Sequence, residues 1–348
     1  MKTKYRLESR KSVTKLIEKL IVTPNNVTSL IFLDVKLGVE EINLLTKFLT
    51  CENCRIKKIK LWGNIEIKQF LEMLIVIPNN IANLKIVCVK LEPDEANLLA
   101  KFLVCNNCMV KNLELTYTGI AKNGYNCIAD AMAQNKLIET LNISEHLYFG
   151  FNITLDEFVT HLATSIRNHP CIKYLYLPHN NIKNSLKDLV INMPKSLKHL
   201  GLINNDYINA DHFKLLLEQT KLESVDITCM NTIQDDIEPY LEANRYIFKF
   251  DHICHLPYNI RPSVKTAILN MLTRNTLAKR SANSAAMTLV AIRKFRRNNC
   301  DLVGWMPKEI VSYMAQLISE SYIDDEWRQD IKNKRIKLSE YHPLVRDY

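Results

Sequence analysis

Two Cys-x-x-Cys motifs are the residues whose type and spacing come nearest to a metal site. They are Cys51/Cys54 and Cys105/Cys108, and thiolates spaced in this way often bind zinc. The chain contains an internal repeat, and the two motifs occupy equivalent places two repeat units apart. If each unit contributes one strand, stacked about 4.8 Å from the next, the motifs are separated by about 10 Å. Zinc–sulfur bonds of about 2.3 Å cannot join thiols that far apart. We therefore interpret these cysteines as buried core residues. The same interpretation covers Cys88, Cys171 and Cys229.

A second group of possible ligands is Asp251-His252-x-Cys254-His255. A lone cluster of this kind has no second His/Cys pair at zinc-site spacing and is more typical of an ordinary turn. The sequence also lacks a phosphate-binding glycine loop, a GxSxG motif and an HExxH motif, and it contains only seven glycines. We predict no metal site, no cofactor, no catalytic residues and no small-molecule substrate.

The elements that would position any functional residue follow from an internal repeat. An apolar-x-x-apolar-x-apolar pattern occurs eight times, with 25 to 34 residues between starts. The first residues of the eight matches are Val27, Ile56, Ile81, Val110, Ile138, Ile172, Leu197 and Leu222. Asn64, Asn180 and Asn205 follow three of them, where an amide can bond the backbone of a turn. The pattern predicts buried strands at regular spacing.

A longer repeat indicates helices between these strands. Residues 24–54 align with residues 78–108, with 17 identities in 31 positions. The segments GVEEINLLTKFL and PDEANLLAKFL have apolar residues at helical spacing, and Pro93 suits a first helical turn. Each unit is therefore predicted to be a strand, a turn and a helix that stacks on its neighbours.

Units such as LLTKFLTCENCRIKKIKLWGN and TSIRNHPCIKYLYLPHNN resemble the ribonuclease-inhibitor class of leucine-rich repeats, which also occurs in nucleotide-binding innate-immune receptors. The resemblance covers roughly residues 15–250. It implies an α/β leucine-rich-repeat solenoid, a horseshoe with parallel strands inside and helices outside, and a role in binding proteins. We expect a leucine-rich-repeat domain of about eight repeats at residues 1–250 and no enzymatic activity.

On each predicted strand, the residues that flank the buried apolar positions point to the concave face. They are Lys58, Lys60, Trp62, Asn83, Lys85, Asn112, Glu114, Thr140, Asn142, Tyr174, Tyr176, His199, Ser224 and Asp226. Trp and Tyr supply large contact areas at low entropic cost in protein interfaces. This favours a protein-binding face, although Trp62 and Tyr174 could instead pack along neighbouring strands.

The fifth unit is several residues longer than the others, and the excess lies in SEHLYFGFNITLDEF. Tyr148, Phe149 and Phe151 fall in this insertion. Insertions at one rim of a solenoid often lie on the binding side, so we include these aromatic residues in the candidate binding site. The alternative is that they tuck under the solenoid as a local plug.

The end of the chain differs in charge from the rest. Residues 245–348 contain 18 Lys and Arg against 10 Asp and Glu, whereas residues 1–244 contain 28 against 27. Helical patterns at residues 263–279, 282–297, 307–319 and 324–337 predict a basic, all-helical domain over residues 251–348. Such a domain could cap the apolar end of the solenoid.

The strongest basic cluster in this part of the chain consists of Arg293, Lys294, Arg296 and Arg297. It could contact nucleic acid or acidic lipid, serve as a nuclear-import-like run, or be a solvated helix end. Phe295 is the lone aromatic residue among them, which disfavours a base-stacking platform for nucleic acid.

The whole arrangement, with 34 Asn and a basic tail containing WMPKEIVSYMAQLI, is similar to leucine-rich-repeat effectors that intracellular bacteria inject by type IV secretion. The resemblance implies docking onto a host protein or onto another effector that is thereby blocked. The tail segment also resembles the first helix of F-box-type adaptors, which implies recruitment of a ubiquitin ligase as an alternative. A basic nucleic-acid or acidic-lipid module is the other alternative.

The sequence also bears on compartment. It shows no apolar run of membrane-spanning length and no signal-peptide pattern. Its ten cysteines are irregularly spaced, unlike those of a disulfide framework. We expect a soluble protein of a reducing cytoplasm, or of the host cytosol or nucleus after secretion.

Overall fold

The structure is a computed structural model. It describes residues 3–22, 26–144, 155–205, 207–226, 238–247, 249–250 and 266–279. The chain divides into two compact units. The first comprises Met1–Tyr240 and Phe250–Arg261, and the second comprises Leu241–Lys249 and Pro262–Tyr348.

Strands and helices alternate along the described chain. The strands are β1 (Thr3–Leu7), β2 (Val27–Leu33), β3 (Lys58–Trp62), β4 (Asn83–Val87), β5 (Asn112–Thr116), β6 (Thr140–Ser144), β7 (Tyr174–Tyr176), β8 (His199–Gly201), β9 (Ser224–Asp226) and β10 (Lys249–Phe250). The helices are α1 (Arg10–Val22), α2 (Val39–Thr50), α3 (Lys68–Val76), α4 (Pro93–Val104), α5 (Lys122–Gln134), α6 (Asp156–Ile166), α7 (Ser185–Ile191), α8 (Ala210–Gln219) and α9 (Glu238–Ala243). A further helix covers residues 266–279.

Strands β1 to β9 form one parallel sheet in which each strand pairs with the next along the chain. Sequence neighbours can pair in parallel only if a crossover returns the chain to the start of the next strand, and the helices provide it. Every described apolar residue of the eight predicted triplets is buried. These observations confirm the predicted solenoid of strand–helix units.

An N-terminal unit made of β1 and α1 precedes the eight predicted ones. Leu7 is buried, and β1 pairs in register with β2. The apolar pattern did not reveal this strand because Thr3, which pairs with Val27 of β2, is polar, so Tyr5 and Leu7 do not complete an apolar triplet. An edge strand contacts one neighbouring strand and needs fewer buried apolar residues.

The helices predicted from the 54-residue repeat are α2 and α4. At the start of α2, the Gly38 backbone N–H donates to Glu41 Oε2 at 2.8 Å. At the start of α4, the Glu92 N–H donates to Glu95 Oε2 at 2.9 Å, and Pro93 is the first helical residue. Both starts therefore use a glutamate three residues into the helix to bond a backbone N–H at the N-terminus.

The predicted asparagine bonds form at two of the three positions. The Asn205 amide donates to Leu177 O at 2.7 Å, and its oxygen accepts the Asn180 and Ile182 N–H groups at 3.1 Å each. Asn180 donates in turn to Ile143 O at 2.8 Å. At the third position, it is the Asn64 backbone N–H that bonds, to Asp34 Oδ1 at 2.9 Å. Asn180 and Asn205 thus each bond their own repeat unit to the repeat unit before it.

A second set of polar side chains, not identified from the sequence, lies where helices α3 to α6 lead into the strands that follow them. Asn135 Oδ1 accepts the Leu137 and Ile138 N–H groups, and its amide donates to Leu103 O in the preceding unit at 2.7 Å. Asn79 and Asn107 also bond the backbone at their turns. In the next unit His169 occupies this position, and its Nδ1 accepts two N–H groups at 3.2 Å each.

The described part of the second compact unit, Leu241–Lys249 and Pro262–Tyr348, has polar contacts of its own. Asn244 Oδ1 accepts the Tyr246 and Ile247 N–H groups at 3.0 Å each. The Asn275 amide, on the helix at residues 266–279, donates to Ile247 O at 2.8 Å. Ile268 and Met271 on that helix are buried. This helix agrees with the one predicted at residues 263–279.

Candidate protein-binding surface

We call the side of the β1–β9 sheet that faces away from the helices the strand face. Because side chains alternate along a strand and paired residues align across strands, the strand face consists of rows of side chains. The middle row contains Arg6, Ile31, Lys60, Lys85, Glu114, Asn142, Tyr176, Gly201 and Asp226. A neighbouring row contains Lys4, Ser29, Lys58, Asn83, Asn112, Thr140, Tyr174, His199 and Ser224. In these two rows, cations therefore lie toward β1 and tyrosine rings toward β9.

Most of the predicted site residues on described strands are open to solvent to some degree. Trp62 and Tyr174 are each 41% exposed, and Lys58 is also exposed. The half-buried members are Lys60, Lys85, Glu114, Asn142 and Tyr176. Trp62 contacts the Lys60 ammonium, whose Nζ lies 4.1 Å from the ring centroid. These side chains share one continuous face.

Two predicted site residues are buried rather than open. His199 is 2% exposed and Asp226 is 4% exposed, so the expectation that they form an accessible part of the face is wrong. The Tyr176 ring centroid lies 4.7 Å from that of His199, and His199 Nδ1 is 2.6 Å from Ser224 Oγ. The aromatic side chains of the neighbouring strand cover the imidazole, which alternation along a single strand cannot predict.

A glycine makes room for this packing. A Cβ at Gly201 would lie 2.6 Å from Tyr176 Cδ1. We therefore expect Gly201→Ala to displace the Tyr176 ring from His199 and to lower the free energy of unfolding by about 1–3 kcal/mol, the usual range for overpacking. Chemical denaturation measures the loss, and the ring-current shifts of the His199 protons in NMR spectra report the displacement. The double variant Gly201→Ala/Tyr176→Ala removes the clash and should not be less stable than Tyr176→Ala alone. Wild-type stability and unchanged shifts in Gly201→Ala would show that no ring needs the space.

Charged side chains pair with one another across the central strands. The Lys85 ammonium and the Glu114 carboxylate form an ion pair. Just before the strands, Glu139 lies 3.1 Å from Lys111 Nζ and 3.5 Å from Lys173 Nζ. The hydrogen bond from Lys111 is the main reason that the pKa of Glu139 is lowered, and Lys173 lowers it further. These central charges are largely compensated within the protein.

A cleft of about 550 Å³ opens at the β1–β3 end of the strand face, and we call it the basic cleft. It is lined by Lys4, Arg6, Ile31, Leu33, Asp34, Lys60 and Trp62. The sequence-based prediction includes Lys60 and Trp62 but not the other five residues, because β1 lacks a full apolar triplet and the predicted face begins at β3. Ile31 and Leu33 alternate with buried residues in β2, which was a usable signal.

The cysteines in the described part of the chain form no disulfide, and most of them are only half-buried. Cys108 is buried, but Cys51, Cys54, Cys88, Cys105 and Cys171 are half-buried, so the expectation of buried core cysteines is confirmed for Cys108 alone. Burial raises the pKa of Cys108 to about 11 and that of Cys54 above its usual value. Both thiols are therefore protonated near neutral pH, which makes them weak nucleophiles and weak metal ligands.

Several residues about which the sequence made predictions lie outside the described residues. They are Tyr148, Phe149 and Phe151 of the fifth-unit insertion, the basic cluster Arg293, Lys294, Arg296 and Arg297, and Cys229. The Asp251–His255 group and the predicted helices after residue 280 also lie outside them. Within the described ranges, no three His, Cys, Asp or Glu side chains are arranged to hold a metal ion. No helix in the described part of the chain is long and apolar enough to cross a membrane.

Comparison with known proteins finds similarity to solved structures alone. No family model matches the chain, and no curated protein matches it. The chain is similar to the crystal structure of the leucine-rich repeat-containing protein LegL7 from Legionella pneumophila. The two are 15% identical with a TM-score of 0.47, and the similarity covers 78% of this chain and 97% of that chain. The first compact unit of this chain is a leucine-rich-repeat solenoid, as its repeated buried triplets, parallel strand order and intervening helices indicate.

Proposed function

We propose that this protein binds another protein on the strand face of its first unit and catalyses no reaction. The observation that carries the proposal is the pair of aromatic side chains, Trp62 and Tyr174, each 41% exposed on the strand face. Exposed Trp and Tyr dominate the binding energy of many protein interfaces, because they bury much area and lose little side-chain entropy.

The strands hold these side chains in fixed relative positions. Trp62 ends β3, which pairs with β2 and β4 over five residues on each side. Tyr174 begins β7, which pairs with β6 and β8. A surface on paired strands changes little on binding, so the cost of ordering it has been met during folding. The arrangement suits recognition of a folded or extended protein segment.

The chemistry of the face is mixed, which also suits a protein partner. Cationic side chains lie near Trp62, an ion pair formed by Lys85 and Glu114 lies at the centre, and Tyr174 and Tyr176 lie beyond it. Protein interfaces combine aromatic anchors with a polar surround. The proposed binding residues on described strands are Lys58, Lys60, Trp62, Lys85, Glu114, Asn142, Tyr174 and Tyr176.

The test compares affinity purifications with the intact chain and with a Trp62→Ala/Tyr174→Ala/Tyr176→Ala variant. We expect the strand-face variant to lose at least one protein partner, because each alanine removes an interface anchor and costs about tenfold or more in affinity. A matched control replaces Val22, Val76 and Ile191 with alanine, three exposed apolar residues that end helices α1, α3 and α7. This helix-side variant should retain the same partners.

The source of the lysate tests the finer part of the proposal. The resemblance to injected effectors supports a partner from a eukaryotic host cell or a second bacterial effector, so purifications from eukaryotic and from bacterial lysates are run in parallel. A partner lost only in the strand-face variant identifies the strand face as its binding site. The lysate that contains this partner shows whether it is a host protein or a bacterial protein. Identical partner lists for the intact chain and the strand-face variant would contradict the proposed binding face.

A further inference from the structure

The basic cleft has an excess of positive charge. Its lining includes three cations, Lys4, Arg6 and Lys60, against one carboxylate, that of Asp34. The neighbouring row adds Lys58, which pairs in register with Ser29 on β2. The sheet register thus brings cations from β1 and β3 to either side of β2, which carries no charged side chain between Val27 and Leu33.

The carboxylates near the cleft are committed to other contacts. Asp34 Oδ1 accepts the Asn64 N–H at 2.9 Å, and a Cβ at Gly63 would lie 2.0 Å from that same oxygen. This carboxylate therefore lies against the Gly63–Asn64 backbone. Glu114 forms an ion pair with Lys85, and Glu8 lies 2.7 Å from Arg6 Nε on the exposed surface. Among the described residues, Lys4, Lys58 and Lys60 have no carboxylate within 4.0 Å.

The Lys60 ammonium is partly buried and lies near other positive charges. Burial lowers its pKa, and the positive charges of Lys85 and Lys4 lower it further, while Glu114 acts in the opposite direction. An incoming carboxylate would relieve the repulsion between these ammonium groups. Because the site is half-buried, a charge placed there is less screened than one on an open surface.

The floor of the cleft is apolar. Ile31 and Leu33 are half-buried on β2, and Trp62 forms one wall next to them. Leu33 and Trp62 are register partners on adjacent strands. The cleft therefore offers an apolar floor with an aromatic wall and ammonium and guanidinium groups around it.

We propose that the basic cleft binds an acidic protein segment whose Asp or Glu side chains contact Lys4, Lys58 and Lys60 while one apolar side chain packs on Ile31 and Leu33 beside Trp62. This inference rests on the proposed function and names the partner chemistry at one end of the strand face. An extended chain rises about 3.3 Å per residue and strands lie about 4.8 Å apart, so about five residues cross the face from β1 to β4.

The features of the cleft favour a peptide over other polyanions. A nucleic acid would bring phosphates close to Asp34 and would be bound by several stacked aromatic side chains, whereas Trp62 is the one aromatic residue in the lining. An anionic membrane is a broad surface that a recessed floor such as Ile31 and Leu33 does not reach. A segment with carboxylates around one apolar side chain matches both the apolar floor of the cleft and the cations around it.

The experiment uses the full-length chain and fluorescently labelled peptides of about eight residues. The first peptide alternates Glu and Asp around a central Leu, the second replaces each acid with its amide, and the third replaces Leu with Ser. We expect the acidic Leu peptide to bind at least tenfold more tightly than either of the others by fluorescence anisotropy, and its affinity to fall as salt rises because the contacts are ionic. A single-stranded oligonucleotide and phosphatidylserine vesicles are tested alongside.

Two double variants separate the site from net charge. Lys4→Glu/Lys60→Glu reverses two cleft cations and should weaken binding of the acidic Leu peptide more than tenfold. Lys15→Glu/Lys47→Glu makes the same change in net charge at exposed positions on α1 and α2 and should leave the affinity within about twofold. Circular dichroism spectra of both variants confirm that the chain remains folded.

Three results would overturn the inference. They are equal binding of the amide peptide, equal loss of affinity in both double variants, and binding of the oligonucleotide or the vesicles that is as tight and as sensitive to Lys4→Glu/Lys60→Glu as that of the peptide. The failure of this inference is distinguishable from that of the proposed function. If the peptides do not bind but partner capture still depends on Trp62, Tyr174 and Tyr176, only the partner chemistry is wrong. If capture is independent of those residues, the binding face itself is wrong.

Discussion

Replacing Asn205 with alanine should lower the free energy of unfolding by about 3–5 kcal/mol. Asn205 is 1% exposed, and its amide makes four hydrogen bonds of 2.7–3.1 Å. It donates to Leu177 O and Leu202 O, and it accepts from the Asn180 and Ile182 N–H groups. Each buried backbone group that loses its partner costs about 1–3 kcal/mol, and alanine replaces none of these bonds.

Equilibrium denaturation with urea measures this effect. The matched control is Asn53→Ala, since Asn53 is exposed in the turn after α2 and substitution of an exposed residue usually changes stability by less than about 0.5 kcal/mol. Asn205→Ala and Asn53→Ala remove the same atoms from different environments. Equal stability of the two variants would show that the buried amide bonds contribute nothing net to the fold.

Acidification should destabilise this protein through His169, by about 2–3 kcal/mol between pH 7 and pH 4. His169 Nδ1 accepts the Cys171 and Ile172 N–H groups, so the imidazole must be neutral with its proton on Nε2. Burial, with a smaller contribution from the positive charge of Lys136, lowers the pKa of His169 from 6.5 to about 4. Protonation would replace the acceptor by an N–H that faces two other N–H donors.

The direction of the effect follows from proton binding. Between pH 6.5 and about 4 the unfolded chain binds a proton at His169 that the folded chain does not bind, and stability then increases with pH. The contribution is complete above pH 6.5 and is lost as the pH falls toward 4. One pKa unit corresponds to about 1.4 kcal/mol. The size of the His169 pKa shift therefore sets the upper limit of the stability that is lost on acidification.

His169→Asn is the informative variant for this prediction. Asparagine fills the equivalent turn position at Asn135, where its Oδ1 accepts two backbone N–H groups. The variant should match the wild type near neutral pH and lose less stability on acidification, as measured by urea denaturation at a series of pH values. His212, whose pKa burial also lowers, is present in both proteins and cancels in the comparison. Parallel pH profiles for the wild type and His169→Asn would contradict the assignment.

The fold was largely predictable because its rule repeats. Each unit has one buried edge, so the same apolar spacing appears eight times, and repetition distinguishes it from chance. The strand β1 was not predicted because the polar Thr3 pairs with the apolar Val27 of β2, and an edge strand tolerates a polar residue there. The turn residues Asn79, Asn135 and His169 escaped for another reason: their role depends on backbone groups of the preceding unit, which local spacing does not show.

The candidate site was predictable only in part. Alternation along a strand correctly placed Lys60, Trp62 and Tyr174 on one face. It could not show that His199 is covered by Tyr176, since that depends on the register between β7 and β8 and on the missing side chain of Gly201. Accessibility on a strand face is a property of neighbouring strands, and a single strand carries no information about it.

The near-copy of residues 24–54 at residues 78–108 has a structural counterpart. Helices α2 and α4 are both followed by a cysteine, Cys51 or Cys105, whose N–H bonds the carbonyl of Phe48 or Phe102 at 3.2 Å. The two segments thus end with matching junctions. Recombination between them would insert or delete a pair of units without leaving a mismatched seam, so this architecture can change its length in evolution two units at a time.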